Sequence, residues 1–375
     1  MPTNQYSPPA PDELEISLFG TGFGEAIALH VGQGKWVLVD SYRKRGEIPN
    51  NLEYLNKLEV DVEKAVHLVV ATHWHKDHIE GIGDIFNACK SSDLVISSAL
   101  REPQFLSLIN LDIPPGVKSS SKLKEFTQML RTSQHRKQKG TNNKLHLAAV
   151  DKVVYSDKVE FASGNFDIKI SALSPSDDAI IHALRLFAQS FPQEGSIPDP
   201  LPDIRPNYCS VVLWVEVGKH KLLLGADLEE TNKPSTGWSA IIDGSNTLGN
   251  GASVFKIPHH GSENAHNDQI WESVLCKNPY AILTPFNRGR KPLPSKEDVN
   301  RIVNLTPHAY STTKRRRRQK IKNPTVRRTI TETTRKVYAK SSGSGQIRLR
   351  CKFHDPNTNW SVELFGDACE LSDLV

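Results

Sequence analysis

The stretch that most constrains the fold of this chain covers residues 68–82 and reads LVVATHWHKDHIEGI. An apolar run with the length of a buried strand ends at three histidines and an aspartate. His73 and His75 are two residues apart, so an extended backbone directs both side chains the same way. Asp77 and His78 follow where the chain turns into a predicted helix. Imidazole and carboxylate groups are the usual ligands of catalytic zinc, and two such pairs can hold two ions roughly 3.5 to 4 Å apart. The stretch therefore predicts a metal site at the end of a strand.

The motif THWHKDH resembles the HxHxDH signature of the metallo-β-lactamase superfamily. Three further segments extend the resemblance. LLLGAD is similar to the family's LLTGD, whereas GTGFGEAIAL is similar to DVGQGDAI and VFKIPHHGS to VLKVGHHGS, two elements of its competence-type, ComEC-like branch. The resemblance covers roughly residues 14–305. It implies an α/β fold, the αββα four-layer sandwich, and a metal-dependent hydrolase with two zinc ions.

The resemblance also implies roles for individual residues. One ion would be held by His73 and His75, and the other by Asp77 and His259 together with His78. Asp227 would bridge both ions. His260 would be a ligand or would contact the substrate oxyanion, and both roles stay open. Asp77 would also accept a proton as general base, and Asp40 would support the metal-binding loop from outside the ligand set.

The sequence departs from the family pattern at two places. Dinuclear members usually supply one more histidine before the bridging aspartate, and no histidine here follows a strand in that setting. Asn207 stands before the strand instead, and it could offer an amide oxygen or hold a water. An oxygen-rich site makes Mn²⁺ an alternative to Zn²⁺. The histidine of the family's GHP segment is replaced by RKPLP, where Arg288, Arg290 or Lys291 could substitute for it.

The glycines at 20, 22 and 24 allow two interpretations. A GxGxG run can cradle phosphate when a helix follows it. Here strand patterns lie on both sides, so we favour a hairpin turn.

Composition shifts suggest three parts. Residues 1–13 are proline-rich and predict a flexible lead. Residues 14–310 form the hydrolase domain, with a polar insertion at 103–145. Residues 311–375 form a basic C-terminal extension with two predicted strands.

Positive charge is concentrated in the C-terminal extension, residues 311–375. The whole chain carries a net charge of +5, yet residues 314–352 contain fifteen Lys and Arg residues and a single acid. Such a segment favours a polyanionic partner, although a solvated loop or a localisation patch would have the same composition. The predicted nucleic-acid-binding residues are Lys314, Arg315, Arg316, Arg317, Arg318, Lys320 and Lys322.

No apolar run reaches the 18 to 20 residues or so that a membrane helix needs, and no signal peptide is recognisable at the N-terminus. The five cysteines have no CxxC spacing. A cytoplasmic location is therefore expected, without a membrane partner, and the resemblance points to bacteria. The oligomeric state and protein partners stay open.

These observations predict a phosphodiesterase or nuclease acting on DNA or RNA, in which two ions activate a bridging hydroxide. Two alternatives remain. The chain could hydrolyse a small molecule such as a cyclic nucleotide, lactone or thioester. It could also be a non-catalytic nucleic-acid-binding accessory subunit.

Overall fold

The computed structural model describes residues 4–44, 46–100, 121–161, 164–189, 206–231, 233–288, 291–314, 324–333, 343–355 and 359–375. In chain order the strands are β1 (Glu13–Gly20), β2 (Glu25–His30), β3 (Trp36–Val39), β4 (Val66–Ala71), β5 (Asp93–Ser97), β6 (Leu145–Ala148), β7 (Lys152–Phe161), β8 (Gly164–Ala172), β9 (Leu213–Val217), β10 (His220–Leu224), β11 (Ala252–Lys256), β12 (Leu275–Leu283), β13 (Ala309–Ser311), β14 (Gly345–Lys352), β15 (Ser361–Gly366) and β16 (Cys369–Glu370).

The α-helices are α1 (Asn50–Lys57), α2 (Val62–Ala65), α3 (Lys76–Ile79), α4 (Ile82–Ala88), α5 (Ser121–Gln138), α6 (Asp177–Gln189), α7 (Gly237–Gly244), α8 (Lys296–Leu305) and α9 (Pro324–Thr333). Within the described ranges, none of the helices has both the length and the apolar character needed to cross a bilayer.

The strands form two sheets. The first has the order β15-β14-β1-β2-β3-β4-β5-β6, and the second has the order β16-β13-β12-β11-β10-β9-β8-β7. Strands β3 to β6 run parallel, and so do β10 to β13. The carboxyl ends of parallel strands meet at one edge of a sheet, which is where polar side chains from separate segments converge.

Alternate side chains of a strand contribute to different hydrophobic cores, which separate the layers of helices and sheets. On β3, Val37 and Val39 face a core shared with the second sheet, whereas Leu38 faces the helices on the outer side. On β10, Leu222 and Leu224 face the shared core, and Leu223 packs with helices on the other outer side. Successive side chains of a strand point to opposite faces, so each sheet is buried on both sides. The order helix, sheet, sheet, helix confirms the predicted αββα sandwich.

The strands that follow the boundary predicted at residue 310 pair with strands of the sandwich. Strand β14 pairs antiparallel with β1 over eight residues, from Glu13 opposite Lys352 to Gly20 opposite Gly345. Ile347 and Leu349 of β14 lie in the core between the sheets. The sequence pattern predicts a strand at this place but does not reveal its partner, since that contact is long-range.

Residues of the predicted flexible lead form hydrogen bonds with β14. The fully buried guanidinium of Arg348 donates to the carbonyl oxygens of Asn4 and Gln5 and to the Glu363 carboxylate, at 3.1, 2.8 and 2.6 Å. Arg350 forms an ion pair with Glu15 at 2.8 Å. Part of the basic surplus of the C-terminal segment is therefore neutralised inside the fold.

The second half of the predicted polar insertion is also structural. Helix α5 places Phe126 and Met129 in the helix-side core of the first sheet. Arg136 donates hydrogen bonds to the carbonyl oxygens of Phe86 and Cys89. Residues 101–120, which include the first part of the predicted insertion, lie outside the described part of the chain.

His30 at the end of β2 predicts an acid-sensitive fold. Its Nδ1 donates to the Glu13 carbonyl at 2.7 Å, and its Nε2 accepts from the Gly34 backbone N–H at 3.0 Å. A protonated ring cannot accept the second bond, and burial lowers the pKa of His30 to about 4.

The unfolded chain binds this proton near pH 6.5 and the folded chain only near pH 4, so stability falls as the pH drops through that window. We expect a loss of about 3 kcal/mol, because each tenfold difference in proton affinity between the two states corresponds to about 1.4 kcal/mol. Urea unfolding at pH 7 and pH 4.5 measures the loss. Because His30→Gln can still donate and accept, this variant should lose less stability over that range, and an equal loss in both proteins would contradict the prediction.

Candidate metal centre

The centre is built at the end of β4. The chain leaves the strand at Ala71 in an extended conformation and enters the short helix α3 at Lys76, with His75 at its N-cap position. His73 is fully buried and His75 is partly exposed, and their ring nitrogens Nε2 and Nδ1 are 3.2 Å apart. Asp77 and His78 lie on the first turn of α3 and are buried. The local motif thus places four donor side chains together, as the sequence predicts.

Asp227 joins two groups of donors. It follows the end of β10, and its Oδ2 lies 3.9 Å from His73 Nε2, 3.3 Å from His78 Nε2 and 3.6 Å from His260 Nε2. His260 Nε2 also lies 3.5 Å from Asp77 Oδ2. Besides a group of Asp40, His73 and His78, one group comprises His73, His75 and Asp227, and another comprises Asp77, His78 and His260. Asp227 is the residue placed between them.

The structure places His260, and not the predicted His259, in this cluster. Both residues lie in a turn after β11 with positive φ, at 44° for His259 and 56° for His260. His260 is buried, and its Nδ1 donates to the Thr284 carbonyl at 2.9 Å. His259 belongs to none of the donor groups, and its Nδ1 lies 2.9 Å from Asn264 Oδ1 and 3.4 Å from Glu229 Oε1. The left-handed turn separates the directions of the two neighbouring rings, which the sequence could not reveal.

Asp40 fixes the orientation of two of these histidines. His78 Nδ1 donates to Asp40 Oδ2 at 2.8 Å, and the Thr72 hydroxyl donates to the same oxygen at 2.7 Å. That hydroxyl in turn accepts from His73 Nδ1 at 3.0 Å. Both rings therefore turn Nε2, with its lone pair, toward Asp227. Asp40 thus contacts His78 directly and His73 through the Thr72 hydroxyl.

We predict that Asp40→Asn weakens metal binding by about 10- to 100-fold, the usual contribution of groups that orient metal ligands. The amide would present a donor to His78 Nδ1 or lose the bond from Thr72. Calorimetric titration of Zn²⁺ and Mn²⁺ into the chelator-treated protein measures the effect. Asp93→Asn is a matched control, because Asp93 pairs with His146 at 2.8 Å outside the cluster. Equal affinity in the two variants would contradict this role of Asp40.

Asn207 and His259 both contact the carboxylate of Glu229. Its Nδ2 donates to Glu229 Oε1 at 2.7 Å, and Glu229 is also the carboxylate near His259. Its Oδ1 is buried and forms no hydrogen bond with any described residue. The amide nitrogen is thus used by Glu229, which leaves the oxygen as the only atom of this side chain that could serve a metal.

Sequence analysis missed a buried ion pair next to Asp227. Lys256 Nζ lies 2.6 Å from Glu25 Oε1 and 3.8 Å from Asp227 Oδ1, and it donates to the Ala226 carbonyl at 2.7 Å. Thr284 donates to the other oxygen of Glu25. The available signal was a lysine inside the apolar strand SVFKI, since such a position requires a buried partner.

The donor set fits a divalent metal ion. All the clustered donors are imidazole nitrogens or carboxylate oxygens, as zinc and manganese prefer. His78 Nε2 and Asp227 Oδ1 are buried, and neither has a hydrogen-bond partner among the described residues. Although burial would raise the pKa of Asp227, the adjacent His78 and His260 hold it well below its usual value. Burial likewise opposes the charge of Asp77, but the hydrogen bond with His260 lowers its pKa. Together with the imidazole nitrogens, these carboxylates make up the kind of donor set that holds a divalent cation.

A cavity of about 680 Å³ lies close to this centre. Its lining includes Glu229 and Asn264, the two residues that His259 contacts, together with Tyr208, His182, Arg185 and Lys233. The volume is within the range of small-molecule sites.

Most of the predicted nucleic-acid-binding residues, Arg315, Arg316, Arg317, Arg318, Lys320 and Lys322, lie outside the described part of the chain. Lys314 is exposed, and its Nζ is 3.6 Å from Asp373 Oδ2. Arg288 and Lys291 are exposed, and Arg290 is not described.

No family model matches this sequence, and a search of curated proteins finds no match. Solved structures with similarity include the metallo-beta-lactamase fold protein YhfI from Bacillus subtilis, at 12% identity over 72% of this chain and 85% of that one, with a TM-score of 0.34. Zn²⁺-bound PqqB from Methylobacterium extorquens is 12% identical over 62% of this chain and 56% of its own, with a TM-score of 0.30. A metallo-beta-lactamase from Pontibacter korlensis is 10% identical over 56% of this chain and 62% of its own, with a TM-score of 0.23. Similarity at this distance carries no argument about activity, which has to be derived from the site.

Proposed function

We propose that this chain is a metal-dependent hydrolase that cleaves phosphodiester bonds of a nucleic acid. The observation that carries the proposal is Asp227, which is buried and lies between two groups of imidazole and carboxylate donors. Enzymes with two ions roughly 3.5 to 4 Å apart include phosphatases and nucleases. Zinc is the first choice for the imidazole-rich set, and manganese is the alternative if the Asn207 oxygen contributes.

Separate residues would hold the ions, accept a proton and orient the metal ligands. His73 and His75 would hold one ion, Asp77, His78 and His260 the other, and Asp227 both. Bound ions would lower the pKa of a water molecule toward 7 and polarise the phosphoryl group. Asp77, on the first turn of α3, is the candidate to accept the proton of the attacking water. Asp40 holds the rings of His73 and His78 in the tautomer that frees Nε2.

Two features support a nucleic acid as substrate. One is the basic segment 314–322, which can neutralise phosphates without reading sequence. The other is the resemblance of GTGFGEAIAL and VFKIPHHGS to the competence-type branch.

The cavity of about 680 Å³ favours one alternative, a small ester or cyclic nucleotide as substrate, because a ligand of that size would fill it.

The test is hydrolysis by the purified protein with Zn²⁺ or Mn²⁺. Labelled single-stranded and double-stranded DNA and RNA are compared with a small phosphodiester and a lactone. We expect cleavage of nucleic acid that disappears in the Asp77→Ala, His78→Ala double variant. The control is Asp93→Ala, His146→Ala, which removes a similar pair elsewhere in the first sheet. Turnover of only the small substrates would favour the alternative, and nucleic-acid binding without any turnover would favour an accessory subunit.

Replacing Arg315, Arg316, Arg317 and Arg318 by glutamine should weaken nucleic-acid binding and flatten its salt dependence. Each lost phosphate contact reduces the slope of log K against log salt by about 0.7 to 0.9. Substitution is preferable to deleting the C-terminal segment, because deletion would remove β14 from the first sheet. The control is Lys219→Gln, in the exposed turn between β9 and β10, with Lys277→Gln, at an exposed position of β12. An unchanged slope would exclude a role for this segment.

A further inference from the structure

The glycine-rich turn between β1 and β2 displays an aromatic ring. Gly22 and Gly24 have positive φ, at 77° and 93°. A Cβ at Gly22 would lie 2.4 Å from Asn287 Nδ2, and one at Gly24 would lie 2.0 Å from the Tyr42 ring. Only glycine permits so close a passage. The turn therefore packs against both neighbours and leaves Phe23, between the two glycines, half-buried at the surface.

Phe23 belongs to a cluster with a cationic face. Its ring centroid is 5.5 Å from that of Phe286 and 5.6 Å from that of Tyr42. The guanidinium carbon of Arg288 lies 3.8 Å from the Phe23 centroid, on the face of the ring. Arg288 is exposed, and no carboxylate oxygen of a described residue lies within ion-pair distance of its guanidinium. An exposed cation therefore lies over an aromatic ring.

Backbone hydrogen bonds join the loops of this cluster, and one of its rings contacts a histidine of the metal centre. The Asn287 backbone N–H donates to the Gly22 carbonyl at 2.7 Å, which ties the two loops together. Phe286 and Leu293 exchange backbone hydrogen bonds at 2.8 and 2.9 Å. The Phe286 ring packs on His260 with a centroid distance of 5.2 Å. The rings of Phe23 and Phe286 thus connect Arg288 to a histidine of the metal centre.

We propose that Arg288, supported by Phe23 and Phe286, is a subsite for one unpaired nucleotide. The inference rests on the proposed function and specifies its substrate as single-stranded. The outer face of the guanidinium stacks on a base, and its N–H edge contacts the adjacent phosphate. Arginine planes and aromatic rings bind unpaired bases in this way, whereas a paired base inside a duplex does not offer its face.

Equilibrium binding by the full chain in a chelator, without cleavage, tests the subsite. The probes are a labelled oligothymidylate and an abasic strand of the same length. We expect Arg288→Gln to weaken oligothymidylate binding about tenfold, within the range for one stacked base. Arg288→Lys keeps the charge without the plane, so it should weaken oligothymidylate binding while affecting the abasic strand much less. Phe23→Leu should act like Arg288→Lys, and Arg131→Gln, at an exposed position of α5, should bind like the wild type.

Thermal unfolding checks that each variant is folded, and Arg288→Gln keeps the test decisive if Phe23→Leu does not fold. Oligothymidylate affinities within twofold of the wild type for both Arg288 variants would overturn the subsite. So would equal losses for the two probes in Arg288→Lys, since the base would then contribute nothing.

Different results would contradict the proposed hydrolysis and the proposed nucleotide subsite. Cleavage of nucleic acid together with unaffected binding in the variants would overturn the subsite alone. Base-dependent binding by a protein that cleaves no phosphodiester would overturn the proposed hydrolysis alone.

Discussion

His260→Ala is expected to abolish most hydrolysis, while the neighbouring His259→Ala leaves it largely intact. His260 Nε2 faces both Asp77 and Asp227, at 3.5 and 3.6 Å, so its removal opens one of the two donor groups. Loss of a group that only orients ligands costs about 10- to 100-fold, and a ligand itself should cost more than about 100-fold. The His259 ring contacts Asn264 and Glu229 instead, so its loss should cost at most about tenfold.

Metal content and kcat/KM of the two variants decide between the histidines. We expect His260→Ala to bind fewer ions per chain than the wild type and His259→Ala to bind the same number. The reverse order would restore the ligand assignment made from the sequence. Similar losses in both would indicate that the turn as a whole, rather than one ring, supports the centre.

This contrast shows which part of the centre the sequence could predict. His73, His75, Asp77 and His78 lie within six residues, so strand and helix geometry alone brings them together. Asp227 could be assigned because it follows an apolar strand in the expected order. The choice between two adjacent histidines depends on backbone dihedrals in a turn with positive φ, and no residue pattern encodes these.

For the fold as well, the sequence predicts local elements but not the long-range contacts between them. The alternation of QIRLRCK predicts a strand, and the structure contains it as β14. Its place beside β1 depends on contacts between the two ends of the chain, such as Arg348 with Asn4 and Arg350 with Glu15. Basic residues whose acidic partners are distant in sequence have the composition of an exposed segment. For this reason the sequence suggested a C-terminal extension.

The ion pair of Lys256 and Glu25 was missed for the same reason, and it carries a large expected effect. Both side chains are about 1% exposed, and their charged atoms are 2.6 Å apart. Replacing Lys256 by methionine keeps the apolar stem and leaves the Glu25 carboxylate buried without its cation. We expect a loss of about 3 to 5 kcal/mol in the free energy of unfolding, as for other broken buried pairs.

Urea unfolding of the chelator-treated protein measures this loss without the contribution of bound ions. Glu25→Gln with Lys256→Met removes both charges, so it should be more stable than Lys256→Met alone, which a double-mutant cycle quantifies. Lys35→Met is the matched control, because Lys35 pairs with Asp157 at the same 2.6 Å but with 22% and 30% of the side chains exposed. That variant should lose about 1 kcal/mol or less, since solvent screens the pair. If the two lysine variants lose the same amount, burial does not govern the strength of the Lys256 pair, and its position beside Asp227 has no special structural weight.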